Sequence, residues 1–303
     1  MVKVNNKLWL ENIGPICNNN CIFCSIRKDD LVERNRDEIL IGIKKGYNQG
    51  FRSIEFTGGE PTLRKDLIDL IKFSKKLGYK NIGISTNGRM LSYLSFTDNL
   101  IKAGLNWFTF SLHGPDSNIH DAITRTPGSF QDIIKGVENV NKYKSVHISI
   151  TSVLCSINLE HLLELSSAIF SLGVKNWNLS DLIPEGSALK NYKALFVDLE
   201  KIKIELEKLK NIKEKFEEIN LFDFPFCYLP SWMLELDNFN IINTKFRGEN
   251  VRQNGYDPKR IQNNGQKNYI DINKRKIEIC ENCFYNDQCG GFWIKYLENE
   301  KTN

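Results

Sequence analysis

Eight cysteines stand in this chain, and six of them fall in two tight groups near opposite ends. The first group is Cys17-x3-Cys21-x2-Cys24. Three thiolates at that spacing can wrap one small object, each binding one iron of a cubane and leaving the fourth iron open to a non-protein ligand. The same set also suits a structural zinc that borrows a fourth ligand, because zinc sites close tetrahedrally. The second group is Cys280-x2-Cys283-x5-Cys289, followed by Gly290-Gly291-Phe292-Trp293. With Cys227, in Phe226-Cys227-Tyr228, it offers four thiolates, enough for a closed cubane or a zinc. Cys155 is left over, either an inert buried thiol or a hydrogen-atom donor. The opening stretch MVKVNNKLWLENIGP has no apolar signal core, so the expectation is a reduced, intracellular setting in which clustered thiols bind metal.

These thiols need elements to position them. Short β-like runs recur at 7–13, 52–57, 81–86, 107–112, 147–153 and 175–180. Between them lie helical patterns, such as Leu67, Leu70, Ile71 and Ser74 on one face with Gly78 as a left-handed stop. Phe130, Ile133, Ile134, Val137 and Val140 repeat the spacing, as do Leu162, Leu165, Ile169 and Leu172. Six strands alternating with helices predict an α/β fold with a parallel sheet of right-handed βαβ units, whose chemistry sits at the C-terminal ends of the strands. The first cysteine group follows the first strand, and the second strand ends in Thr57-Gly58-Gly59-Glu60-Pro61. Paired glycines let backbone approach a ligand closely, and Glu60 adds a carboxylate able to accept from an ammonium group. After Ser180 the rhythm stops. Pro184 and Gly186 lead to a charged helix with Leu199, Ile202, Leu206 and Leu209 on its buried edge, and from about Glu218 the chain reads as loop-rich, with long irregular loops over the Asn-rich residues 239–268.

The cysteine loop, one βα unit ahead of the Gly-Gly-Glu turn, resembles the radical S-adenosylmethionine (radical SAM) superfamily across residues 7–190. That resemblance implies a partial (βα)6 TIM-like barrel over residues 1–215, with a loop-rich C-terminal auxiliary-cluster domain over 216–303. It implies that Cys17, Cys21 and Cys24 hold a 4Fe–4S cluster whose open iron chelates S-adenosylmethionine, and that Gly58, Gly59 and Glu60 bind the methionine ammonium. Ser85 and Asn87, in Ser85-Thr86-Asn87-Gly88, match polar contacts to the ribose and methionine ends, and Ser111 and Arg125 match the groups that hold the methionine carboxylate. Cys227, Cys280, Cys283 and Cys289 resemble the auxiliary-cluster extensions of the twitch and SPASM type, implying one auxiliary 4Fe–4S cluster closed by protein, with zinc as the other reading. His113 and His120 share a strand-end loop and read as groups satisfying local backbone, and His147 and His161 as ordinary strand and helix residues.

The activity implied is reductive cleavage of S-adenosylmethionine to a 5′-deoxyadenosyl radical, followed by hydrogen abstraction from a substrate. The first expectation for that substrate is a ribosomally made peptide, cross-linked, epimerised or oxidised. The alternative is a sugar, nucleotide or cofactor precursor, with a layout like the molybdenum cofactor cyclase but a chain ending Lys301-Thr302-Asn303 in place of Gly-Gly. A non-catalytic iron–sulfur or zinc module is a third reading. Expected partners are an electron donor such as flavodoxin or ferredoxin and, since the first strand starts almost at once, a separate leader-binding protein. A net charge of +4 is too small to argue for nucleic acid, and no apolar run reaches membrane-spanning length, so a cytoplasmic location is expected. Residues 241–279 carry nine basic against four acidic residues, a local +5, read as a solvated face or a surface for an acidic peptide or phosphate.

Overall fold

The computed structural model describes residues 8–26, 33–235, 239–242, 251–254 and 273–300. A period-two alternation in each strand sets the architecture. The strands are β1 (Leu8–Asn12), β2 (Ser53–Thr57), β3 (Asn81–Thr86), β4 (Trp107–Ser111), β5 (His147–Val153), β6 (Asn176–Ser180), β7 (Glu218–Phe222), β8 (Phe239–Ile242) and β9 (Val251–Asn254). They lie in the order β8-β7-β6-β5-β4-β3-β2-β1-β9, every pair parallel. β1–β7 curl into a half-barrel, the partial TIM-like barrel that the sequence leads one to expect.

Helices α1 (Arg36–Asn48), α2 (Leu67–Leu77), α3 (Leu94–Ala103), α4 (Ser117–Thr124), α5 (Ser129–Asn141) and α6 (Leu162–Ser171) cross between the strands. Their apolar edges meet one face of the sheet. Ile39 and Ile43 of α1, Leu70 and Ile71 of α2, and Ile133 and Val137 of α5 are buried in the same core as Ile54, Phe56, Phe108 and Phe110. Each such side chain contributes roughly 1.5–3 kcal/mol when fully buried. The expected stop at Gly78 is present: its φ is +109° and its N–H donates to the Ser74 carbonyl. A capping box at Asn35 and Glu38 starts α1. The alternate positions of β2–β6, on the opposite face of the sheet, are mostly hydroxyls and amides: Ser53, Ser85, Thr109, Ser149, Thr151, Asn176 and Asn178.

The structure departs from the sequence reading after Ser180. The β rhythm continues: α7 (Gly186–Lys190), α8 (Tyr192–Leu195) and α9 (Leu199–Lys208) lead into β7, whose Ile219 and Leu221 are buried beside Trp177 and Leu179 of β6. The sheet therefore passes beyond residue 215. Two stretches of the Asn-rich region pair at opposite edges as β8 and β9, so they are strands and not irregular loop. β7 is only five residues and β9 reads Val-Arg-Gln-Asn, too short and too polar for periodicity to reveal. The rest of the basic and Asn-rich stretch lies outside the described residues.

A buried clasp fastens the C-terminal segment to the sheet. The hairpin of β10 (Lys274–Arg275) and β11 (Phe292–Trp293) runs into helix Ile294–Glu300. Lys274 Nζ donates to the Asp223 carbonyl at 2.8 Å and lies 3.6 Å from its carboxylate, while Trp293 Nε1 donates to Asp181 Oδ2 at 3.0 Å. Asp181 and Asp223 immediately follow β6 and β7, so this contact sits at the same sheet end as the first cysteine group.

Candidate active site

The loop after β1 is held like a strap across the C-terminal ends of the strands. β2 ends in the turn that pins it: Gly59 N–H donates to the Gly14 carbonyl and Glu60 N–H to the Ile16 carbonyl, both at 2.7 Å. The approach is so close that a Cβ on Gly59 would lie 2.2 Å from the Ile16 oxygen, and one on Gly58 2.4 Å from the Gly14 oxygen. Gly58 also has φ +134°, open only to glycine at low cost. The paired glycines thus serve backbone contact between β2 and the strap.

Further along, Asn20 and Ile22 N–H groups donate to the Thr124 and Ile123 carbonyls at the end of α4, at 3.0 and 2.9 Å. Asn191 Nδ2 reaches the Ile22 carbonyl, and Ser187 N–H donates to the Cys24 carbonyl at 2.8 Å. The three cysteines are therefore fixed by β2, α4 and α7 together. Cys17 is exposed and Cys21 and Cys24 are half-buried. Burial pushes the Cys17 thiol up, and the nearby Glu60 and Cys24 push the same way. Among the described residues no three metal-ligating side chains already converge on one point. With Cys24 and the Glu60 carboxylate acting on Cys17, the strap carries three thiols on one loop. Their number, softness and shared loop, together with the glycine cradle, fit a 4Fe–4S cluster.

Glu60 is also held by protein partners. It is 3% exposed, and its oxygens accept from Thr62 N–H and hydroxyl, from Thr86 Oγ1 at 2.7 Å and from Asn87 N–H at 2.7 Å. Those donors partly offset the burial that raises its pKa. Glu60 thereby locks the end of β3 to the end of β2.

The other expected residues gather at the same end. Asn87 Nδ2 donates to Asn18 Oδ1 at 2.7 Å and lies 3.8 Å from Cys17 Sγ. Arg125, exposed and at φ +52°, follows Thr124, whose carbonyl receives Asn20, so it is placed beside the strap. Ser111 is half-buried at the end of β4, level with Thr151 of β5. Ser85 turns the other way, into the half-barrel, donating to Glu55 Oε1 at 2.6 Å.

Arg89 was missed. Its Nη1 donates to the Asn18 carbonyl at 2.7 Å while Nε pairs with Asp132 at 3.0 Å, tying the strap to α5. Its signal was its place directly after Asn87-Gly88. Arg64 does the same one turn earlier, donating to the Ile13 carbonyl at 2.8 Å with Asp66 holding its other side. His113 and His120 are buried and pushed to low pKa by burial, His120 to about 4, and His113 packs edge-on to Phe23 at 4.6 Å. They brace the strap as neutral rings. Cys155 is buried with Ile123, Leu182, Ala188 and Tyr192, a setting for an inert thiol.

At the C-terminal group, burial pushes the Cys227 thiol up to about 11, and neighbouring Cys289, Cys280 and Cys283 push the same way. Cys283 N–H donates to the Cys280 carbonyl and Gly291 N–H to Cys289 Sγ at 3.4 Å. Cys227, just past β7, thus lies within electrostatic reach of the other three.

The sequence profile of the radical SAM superfamily matches residues 12–169, from the strap through α6. This chain belongs to the radical SAM superfamily. It is 31% identical over 208 residues to a probable GTP 3′,8-cyclase of Saccharolobus islandicus, covering 68% of this chain and 63% of the relative. The same identity and coverage hold for a probable GTP 3′,8-cyclase of Sulfurisphaera tokodaii. The chain therefore spans less than two thirds of the length of these curated relatives. Among solved structures, SuiB of Streptococcus suis bound to S-adenosylmethionine superposes with a TM-score of 0.65, at 17% identity, over 98% of this chain and 75% of that one, which speaks to the fold. Members of the radical SAM superfamily are iron–sulfur-dependent enzymes that use a 4Fe–4S cluster and S-adenosylmethionine, and the matched residues 12–169 contain Cys17, Cys21 and Cys24. Among the described residues no helix is long and apolar enough to cross a membrane.

Proposed function

We propose that this enzyme acts on a small molecule, a nucleotide or related cofactor precursor, and not on a ribosomal peptide. The observation that carries this reading is the 31% identity over 208 residues to probable GTP 3′,8-cyclases, which reverses the order of the two substrate readings. Held at the strap, a cluster with S-adenosylmethionine would supply the one-electron chemistry for removing a hydrogen atom from substrate. The residues have narrower tasks. Cys17, Cys21 and Cys24 hold the cluster, with Gly58, Gly59, Arg64 and Arg89 fixing the strap that carries them. The Gly58–Glu60 turn would receive the methionine ammonium through its backbone and through Glu60 Oε2, which accepts from Asn87 N–H and keeps a free lone pair. Arg125 and Ser111 hold the methionine carboxylate, Asn87 orients the strap side chain Asn18, and Ser85 stands on the substrate side.

We assign Cys227, Cys280, Cys283 and Cys289 to one auxiliary 4Fe–4S cluster in the C-terminal segment that follows β7, supported by the electrostatic influence of the other three on Cys227. A flavodoxin or ferredoxin in the cytoplasm supplies the electron. The deciding experiment gives anaerobically reconstituted protein S-adenosylmethionine, dithionite and either ribose-deuterated GTP and guanosine or deuterated peptides. Deuterium passing into 5′-deoxyadenosine from a nucleotide supports the reading, and transfer from a peptide alone overturns it.

A further inference from the structure

Among the described residues, the face of the half-barrel opposite the core of α1, α2 and α5 holds one carboxyl deep among neutral polar groups. Glu55, 6% exposed at the centre of β2, accepts from Ser85 Oγ at 2.6 Å and from the Thr109 side chain, and Ser149 donates on to Thr109 Oγ1 at 3.3 Å. Farther across the face, Asn220 Nδ2 donates to Asn178 Oδ1 at 2.9 Å, and Asn178 Nδ2 to Thr151 Oγ1 at 3.1 Å. Two hydrogen-bonded chains of hydroxyls and amides therefore cross β2–β7.

No strand from β1 to β7 contains a lysine or arginine. Burial raises the pKa of the Glu55 carboxyl, and among the described residues the hydroxyls of Ser85 and Thr109 are the groups that pull it back down. Without a lysine or arginine on these strands, a buried carboxyl among hydroxyls and amides offers oxygens to N–H groups and no positive charge to a phosphate at the same depth.

Building on the small-molecule reading, we infer that this face receives an uncharged part of the substrate rich in N–H and hydroxyl groups, with Glu55 as the specificity-determining residue that accepts its N–H donors and keeps phosphate out. A purine base or an amino-sugar ring fits such a floor. A triphosphate does not.

The test is equilibrium dialysis of the reconstituted, S-adenosylmethionine-loaded protein, without reductant, against guanosine, GTP and tripolyphosphate. The proteins are wild type, Glu55→Gln and Glu55→Lys, with folding followed by circular dichroism. Wild type is expected to hold guanosine about tenfold more tightly than GTP, and Glu55→Gln to bring the two near parity. Equal or tighter GTP binding by wild type, or an unchanged ratio in Glu55→Gln, overturns the inference. If wild type binds neither nucleoside nor nucleotide, the nucleotide reading falls and the tripolyphosphate arm decides the charge. Tripolyphosphate bound by Glu55→Lys but not by wild type upholds Glu55 as the barrier, and its binding to wild type, or no gain in folded Glu55→Lys, refutes it. Should Glu55→Lys not fold, Glu55→Gln, which keeps an acceptor for Ser85 and Thr109, is read in that arm by the same criterion.

Discussion

Gly59→Ala isolates the role of the β2 turn. The added Cβ would lie 2.2 Å from the Ile16 oxygen and 2.4 Å from the Pro15 oxygen, both backbone atoms. Relief to an ordinary contact needs a displacement of about 1 Å, and a misplacement of that size near a reacting centre costs about a hundredfold in rate. It also breaks the two 2.7 Å bonds from Gly59 and Glu60 to the strap, each worth about 0.5–1.5 kcal/mol. Because Gly59 is not among the positive-φ glycines, the effect comes from the clash alone. Gly128→Ala is the matched control, with φ +84° but nothing within 4 Å of the new Cβ, so it costs only about 1 kcal/mol of backbone strain. The assay is iron and sulfide content after anaerobic reconstitution, followed by 5′-deoxyadenosine formation, with circular dichroism as the check on fold. Gly59→Ala is expected to stay folded, to load the N-terminal cluster poorly and to form 5′-deoxyadenosine about a hundredfold more slowly. Wild-type loading and turnover in Gly59→Ala would refute the claim that the turn positions the cysteine strap.

Arg89→Ala should release the Asn18 carbonyl and the link to α5, so that a chelator strips iron from the N-terminal site several-fold faster; Arg89→Lys, without the planar fork, should rescue little of this. Cys227→Ala should lower iron from about eight to about four per chain, since each cluster holds four. Zinc at that site, with iron unchanged, would contradict the auxiliary assignment. Burial pushes Asp181 up to about 7 from an ordinary 3.8, against the pull of Lys274, with Asp223 opposing and Leu182 N–H and Trp293 donating to it. The folded protein keeps a proton that the unfolded chain has lost across that window. Stability should therefore fall as pH rises from about 4 to 7, by at most ~1.4 kcal/mol per unit, and Asp181→Asn should flatten that slope in urea melts.

The sequence made the first six strands legible because each is a short β-branched or aromatic run between caps, and α2 announced itself through Leu67, Leu70, Ile71, Ser74 and the Gly78 stop. The cysteine and Gly-Gly-Glu motifs located the site because both lie at strand ends, where a parallel sheet gathers its loops. What stayed hidden was tertiary. β7 depends on Ile219 and Leu221 packing beside β6, and β9 on Asn254 donating to the buried Glu11, a contact between residues far apart in the chain. The polar face was in principle readable. In Ser-Ile-Glu-Phe-Thr and Asn-Trp-Asn-Leu-Ser the alternate positions are polar, but a search for helices and metal motifs passes over that pattern. The hydrogen bonds that Glu60 accepts from Thr86 and Asn87 were not legible, because they come from residues brought to it by β3 and the following turn.

The central claim is that the strap holds a cluster with one iron open to S-adenosylmethionine. Electron paramagnetic resonance of the reduced, reconstituted Cys227→Ala protein, with and without S-adenosylmethionine, tests it most directly, because it leaves the N-terminal site as the source of signal. A 4Fe–4S signal that changes on addition of S-adenosylmethionine and is abolished by Cys24→Ala is the expected result. A signal indifferent to S-adenosylmethionine, or one that survives Cys24→Ala, contradicts it.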